Sequence, residues 1–211
     1  MIPIMLRLKK ANHKKIAKAQ DAIIEELYKI FKNAVVHGGT AIWRCYNGSR
    51  FSEDVDVYIH KDLDKINEFF ESLEKRGFAI EKKKISQNSI YSALKFDGTI
   101  VRFEAIFKNI AGSLKEYEDS EGNYITIYTL TPEELVKEKI NAYQKRLKIR
   151  DIYDIFFLLR YVKNKEEIKK ELRELLLKFK EPIDEKELKV LILEGIVPDL
   201  EKMLQYIKSY V

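Results

Sequence analysis

Two short stretches hold the residues best suited to chemistry. His37-Gly38-Gly39-Thr40-Ala41-Ile42 is followed shortly by Arg50-Phe51-Ser52-Glu53-Asp54-Val55-Asp56. Two glycines let a backbone run close to a phosphate, and a helix starting there aims free N–H groups and a positive dipole end at it. Arg50 and Ser52 add a charged fork and a hydroxyl beside that turn. Asp54 and Asp56 lie two apart in a run that alternates polar and apolar, so on a strand their carboxylates project from one face.

Two carboxylates on one face repel each other unless a cation sits between them. Their oxygens suit Mg²⁺, or Mn²⁺ in its place, which keeps several waters and takes substrate phosphates alongside protein oxygens. Two such ions about 4 Å apart activate an attacking oxygen and stabilise the leaving one. Glu104, in Val101-Arg102-Phe103-Glu104-Ala105, is the best-placed acid of the later strands to serve as a third ligand. Taken singly, each piece has a plainer explanation: a tight turn, a solvated strand face, an exposed strand glutamate. His37 beside the glycines reads as a strand-end histidine held by backbone or, less simply, as a base. Order and spacing together favour chemistry.

The elements that must position these residues follow from periodicity. Residues 12 to 32 carry Ile16, Ala19, Ile23, Ile24, Leu27, Tyr28 and Phe31 at helical spacing. Ala34-Val35-Val36 reads as a short strand entering the glycine turn, and Thr40 to Cys45 as the start of a short helix. Asp54 to Ile59 has the period of a strand, and Lys61 to Lys75 returns to helical spacing, with Gly77 as its stop. Candidate strands then run over Phe78–Ile85, Ile90–Phe96, Thr99–Phe107 and Tyr124–Tyr128, with Asp97-Gly98 as a hairpin signal. Thr131-Pro132-Glu133-Glu134 is a capping box with proline at the first helical position. The remainder is helical, with breaks near Asn164, Pro182 and Gly195–Pro198. The expectation is an α+β core over 1–130 and a helical region over 131–211, without repeats or a flexible linker.

Composition excludes several classes. Of 211 residues, 45% are hydrophobic and 35% charged, too apolar for global disorder and long enough to bury a sizeable core. No run of about 18 apolar residues occurs, so no membrane partner is expected. The opening MIPIMLRLKKANHKK lacks the pattern of a signal peptide. A lone cysteine and three scattered histidines provide neither an internal disulfide nor a zinc site, and a cytoplasmic protein is the expectation. The net charge of +5 permits a polyanionic partner. Arg7, Lys9, Lys10, Lys14, Lys15 and Lys18 form a basic run that suits an RNA backbone but more simply a solvated helix face. Lys82-Lys83-Lys84 is similar, its outer members facing one side of a strand.

The run GGTAIWRCYNGSRFSEDVDVYI resembles the signature of polymerase-β superfamily nucleotidyltransferases. More narrowly it resembles the AbiEii/AbiGii toxin family, minimal nucleotidyltransferases of the type IV toxin–antitoxin kind. That pattern is a GGT-A-L helix start and an R-x-S-x-D-hydrophobic-D strand, kept here with Ile42 for Leu and Val55 for Ile or Leu. A second block is similar to the family's later motifs, Lys-x-x-Ala-x-x-x-Arg and R-D-[IL]-Y-D. It comprises Thr131 to Leu135, then Glu138-Lys139-Ile140-Asn141-Ala142, Arg146, and Arg150-Asp151-Ile152-Tyr153-Asp154. The resemblance spans roughly Ala34 to Leu159.

The resemblance implies a polymerase-β-like mixed sheet with flanking helices, followed by the helical region. It implies that Gly38, Gly39 and Thr40 hold nucleotide phosphates with Arg50 and Ser52 nearby. Asp54 and Asp56 would bind metal, with Glu104 as third ligand. Lys139 would face the triphosphate, and Asp154 would act as a polar or acid/base partner. Arg146, Arg150 and Asp151 could equally lock helices, since Arg150 and Asp154 are spaced to pair. The implied reaction moves a nucleoside monophosphate from NTP to a hydroxyl of tRNA or protein, as the toxin of a pair with a cognate antitoxin. The alternatives are a small-molecule, antibiotic-type nucleotidyltransferase and a catalytically idle module that binds nucleotide or a partner.

Overall fold

A computed structural model of the chain describes residues 3–211. They form two compact units, residues 3–45 with 52–129 and residues 46–51 with 130–211.

The first unit is built on a seven-stranded mixed sheet. Its elements in chain order are α1 (Ile4–Arg7), α2 (Ala11–Ile30), β1 (Val35–His37), α3 (Gly38–Cys45), β2 (Val55–Ile59), α4 (Leu63–Lys75), β3 (Ala79–Ile85), β4 (Ser89–Phe96), β5 (Thr99–Phe107), β6 (Ser113–Glu118) and β7 (Tyr124–Thr129). The strand order is β3-β4-β5-β2-β1-β7-β6. β2 runs parallel to β5 and antiparallel to β1, which is parallel to β7. Short β1 and β2 therefore lie at the centre of the sheet and bring the glycine turn and the Asp-x-Asp run side by side.

Alternation decides which face each strand buries. Val55, Val57 and Ile59 of β2 and Val101, Phe103 and Ala105 of β5 are buried. Phe69 and Phe70 of α4 close over Phe103, with ring centroids 4.9 and 6.5 Å away. Asp56, Tyr58, Arg102 and Glu104 consequently project from the face opposite the one α4 packs on. Local signals end the elements cleanly. Asp62 caps α4 by accepting the Lys65 N–H at 3.1 Å. Gly77, at φ +98°, closes the same helix with Phe78 N–H to Leu73 C=O and Gly77 N–H to Glu74 C=O, a Schellman arrangement. Asp97 and Gly98, both at positive φ, make the β4–β5 hairpin.

Two elements were not expected from the sequence, α1 and β6. Edge strand β6 exposes its first residues on both faces and buries only Tyr117 and Glu118, so it carries no alternation to detect.

The second unit is helical: α5 (Pro132–Arg146), α6 (Ile149–Leu158), α7 (Glu166–Leu177), α8 (Leu188–Leu191) and α9 (Leu200–Lys208). The capping box forms, with the Glu134 N–H on Thr131 Oγ1 and the Thr131 N–H on Glu134 Oε2. Residues 46–51 join this unit through backbone bonds to its C-terminal part, Phe51 N–H to Leu191 C=O at 3.1 Å and Leu193 N–H to Ser49 C=O at 2.8 Å. No helix among the described residues is long and apolar enough to cross a membrane.

Candidate active site

In the sheet unit, α3 starts at Gly38, which sits at φ +71° with its Cα against the Asp56 side chain. A Cβ there would overlap the Asp56 carboxylate, so only glycine lets the β1–α3 turn and β2 approach so closely. Asp56 faces Glu104 directly across the parallel β2–β5 ladder, and His37 across the antiparallel β1–β2 ladder. Burial, then the neighbouring Asp56 and Asp54 carboxylates, push the Glu104 carboxyl above its ordinary range. His37 stacks on Tyr58, centroids 4.0 Å apart, so its ring is engaged by an aromatic face.

The loop before β2 is held from beneath. Thr40 is fully buried, and its hydroxyl donates to the Asp54 carbonyl. Gln20 of α2, also fully buried, donates through Nε2 to the carbonyls of Ser52 at 2.9 Å and Asp54 at 3.3 Å. Its other end accepts from Arg44 Nη2 at 3.4 Å. Arginine only donates, so Arg44 obliges the Gln20 oxygen to face it and turns the amide nitrogen toward the loop. Arg44 is itself buried, pairing with Asp21 at 3.2 Å and donating to the carbonyls of Ala17 and Glu118. The Asp54 carboxylate meets the Arg102 guanidinium in a two-pronged pair, both contacts at 2.7 Å.

Asp54, Asp56 and Glu104 supply only hard carboxylate oxygens, which fit Mg²⁺ or Mn²⁺ with waters and phosphate oxygens completing the shell. The mutual repulsion registered at Glu104 is what a cation would relieve. Among the described residues, no three His, Cys, Asp or Glu side chains already stand in positions that would hold a metal ion, and both Asp54 oxygens lie on Arg102.

The helical unit holds the other sequence-expected residues together. Arg50 grips Asp154 with Nε on Oδ1 at 2.8 Å and Nη2 on Oδ2 at 2.7 Å. Lys139 Nζ lies 2.8 Å from Asp154 and 3.9 Å from Asp151. Arg146 takes Asp151 through two contacts of 2.7 and 2.6 Å. Burial disfavours the Asp154 charge, but Arg50 and Lys139 outweigh it and hold the carboxyl down to about 2. The helix-spaced partner Arg150 is not what binds Asp154; its Nε is buried without a hydrogen bond, and burial with nearby Arg146 and Arg50 lowers its pKa. Four cations thus face two carboxylates, a formal excess of two positive charges.

The ten sequence-expected residues therefore fall into two groups. Gly38, Gly39, Thr40, Ser52, Asp54, Asp56 and Glu104 belong to the sheet unit; Arg50, Lys139 and Asp154 belong to the helical unit. Gln20, Arg44 and Arg102 escaped the sequence reading. Arg102 had a signal, its place two residues before Glu104 on one strand face; Gln20 and Arg44 sit in helices whose apolar periodicity masks them.

Solved structures with this fold include MenT4, a nucleotidyltransferase toxin from Mycobacterium tuberculosis H37Rv. It is 14% identical, with a TM-score of 0.68 over 98% of this chain and 85% of that one. JHP933 from Helicobacter pylori is 19% identical, with a TM-score of 0.63 over 94% of this chain and 88% of that one. Among curated proteins, none is similar enough in sequence to match. The family described as nucleotidyl transferase AbiEii toxin, type IV TA system, matches residues 25–207. With that match running from the second half of α2 into α9, and with the glycine turn and the Asp-x-Asp strand inside it, the chain belongs to the AbiEii nucleotidyltransferase toxin family.

Proposed function

We propose that the protein transfers a nucleoside monophosphate from NTP to a hydroxyl of tRNA or protein, releasing pyrophosphate. It would do so in the cytoplasm, as the toxin of a pair with a cognate antitoxin. The observation that carries this reading is the β1–α3 turn lying against Asp56, with Glu104 opposite and Asp54 two residues before. Phosphates would lie at Gly38, Gly39 and Thr40, where the first N–H groups of α3 have no partner within the helix. Thr40 contributes its backbone there, because its hydroxyl is committed to the Asp54 carbonyl. Ser52 follows in the same loop, its carbonyl anchored by Gln20.

Asp54, Asp56 and Glu104 would hold the divalent ion. When bound, such an ion neutralises phosphate charge and lowers the pKa of an attacking hydroxyl. The protein's own share is placement and electrostatics, as is general for phosphoryl transfer. On the helical unit, Lys139, Arg50, Arg146 and Arg150 leave a positive excess that favours a triphosphate. Asp154 orients Arg50 and Lys139, and its depressed pKa keeps it ionised at neutral pH, as an orienting partner and not as a proton donor.

The test is a labelling assay with each α-labelled NTP, Mg²⁺ or Mn²⁺, and either total tRNA or cell protein. Label should enter one acceptor fraction with the wild type and vanish with Asp54→Ala/Asp56→Ala. Absence of both label and NTP binding in the wild type overturns the catalytic reading. Growth arrest on expression, relieved by the neighbouring gene's product, checks the toxin role.

A further inference from the structure

Three forked arginine–aspartate pairs stand among the described residues, and two of them contrast in character. Arg50 and Asp154 are sealed, with side chains 6% and 1% exposed. Arg102 and Asp54 are open, with side chains 45% and 21% exposed. The first cannot part without stranding buried charges, whereas the second can, because a displaced guanidinium simply enters water.

Backbone register makes the open pair a fixed feature. Val55 of β2 lies opposite Phe103 of β5, so the residues just before them, Asp54 and Arg102, meet at the head of the ladder. Arg102 then contacts both Asp54 oxygens at 2.7 Å, leaving neither oxygen unshared. Other cations of that sheet region are engaged elsewhere: Lys82 lies over the Tyr91 ring and Lys108 over Tyr58. A planar fork matches a carboxylate in a way that an ammonium does not.

We propose that Arg102 is a resident counter-cation for Asp54 that a divalent ion must displace, so that Arg102 sets the metal affinity of the site. This rests on the reading of Asp54 as a metal ligand. Without metal, Arg102 keeps Asp54 neutralised beside Asp56 and Glu104. With metal, the Asp54 oxygens exchange the guanidinium for the ion, and Arg102 swings into solvent. The exchange makes binding weaker than the three carboxylates alone would give, so the site fills only at high metal or with metal-bound NTP.

The experiment is direct Mn²⁺ binding to the full chain without nucleotide, by calorimetry and by the EPR signal of free Mn²⁺. Arg102→Gln should lower Kd about fivefold or more, equivalent to about 1 kcal/mol. Arg102→Lys keeps the charge without the fork and should fall between the two, still at least about twofold tighter than wild type. Lys84→Gln removes a cation of β3, two strands from Glu104 in the same register row through Tyr91 of β4, and should change Kd by less than about twofold. Equal Kd for wild type and Arg102→Gln overturns the inference and leaves the metal site standing. An equal gain from Lys84→Gln, with Arg102→Lys like wild type, also overturns it, because net charge and not the fork would then be responsible. No Mn²⁺ binding by any variant at millimolar metal overturns the metal reading and this inference together. If Arg102→Gln fails to fold, Arg102→Lys carries the comparison alone.

Discussion

Asp154 is the most tightly held charge in the helical unit, and its neighbours decide what removing it does. Arg50 occupies both of its oxygens and Lys139 shares one, all within a buried cluster. Asp154→Asn would strand two buried cations, and we expect a loss of about 3–5 kcal/mol in urea unfolding. The same group predicts a pH dependence. Its carboxyl falls from 3.8 when unfolded to about 2 when folded. Its stabilising contribution is therefore complete above pH 3.8 and fades as pH drops toward 2, where unfolding of the wild type should steepen relative to Asp154→Asn. Gly38 makes the second residue-scale case. At φ +71°, with a would-be Cβ overlapping the Asp56 carboxylate, Gly38→Ala should cost about 1–3 kcal/mol. It should also abolish nucleotidyl transfer, because the turn can relax only by pushing α3 or Asp56 aside; thermal melts and the labelling assay read the two effects.

At the scale of elements, α2 does more than fill the core. Its Gln20 ties the loop before β2 through the Ser52 and Asp54 carbonyls, and Arg44 of α3 fixes which way the amide faces. Gln20→Glu tests that arrangement, because it keeps the acceptor for Arg44 and removes the donor to the loop. We expect the melting temperature to fall modestly, for a loss of about 1–3 kcal/mol. NMR exchange broadening at Ser52–Asp54 and a drop in transfer activity of tenfold or more should accompany it. The sequence made α2, β2, α4 and the β4–β5 hairpin readable, because apolar residues recur at 3.6 or 2 and Asp97-Gly98 marks a turn. It also made the glycine turn and the Asp54–Ile59 strand readable as elements, from a short apolar run entering Gly38-Gly39 and from alternation, whereas only their order and spacing together pointed to chemistry. Gln20 and Arg44 were not readable: a buried polar residue on an amphipathic helix interrupts the pattern without announcing its partner, and the main-chain atoms they bind include ones 27 to 74 residues away. Edge strand β6 was lost for the converse reason, since a strand exposed on both sides has no periodicity.

For the molecule as a whole, the consequential feature is that the helical unit is discontinuous in sequence. It takes residues 46–51 from between α3 and β2, a polar segment with no periodic signal of its own. That segment delivers Arg50 to Asp154, bridges Arg50 to Ile192, and sends the Tyr46 hydroxyl to the Leu130 carbonyl at 2.7 Å. A fragment cut at the visible change of secondary structure, residues 130–211, therefore keeps every helix of its unit but loses the counter-charge for a buried carboxylate. Lys139 remains as a partner, yet one ammonium replaces a fork and an ammonium together, and the backbone partners of Leu191 and Leu193 are gone. We expect that fragment to retain far-UV helicity while showing a poorly dispersed amide spectrum and a broad, weakly cooperative melt. Supplying residues 46–51 on a short linker before residue 130 should restore dispersion and cooperativity, and Arg50→Ala in that linked fragment should cancel the restoration. A well-dispersed spectrum from the bare fragment would show that the helices need only their apolar faces, and that the Arg50–Asp154 pair contributes nothing to their order.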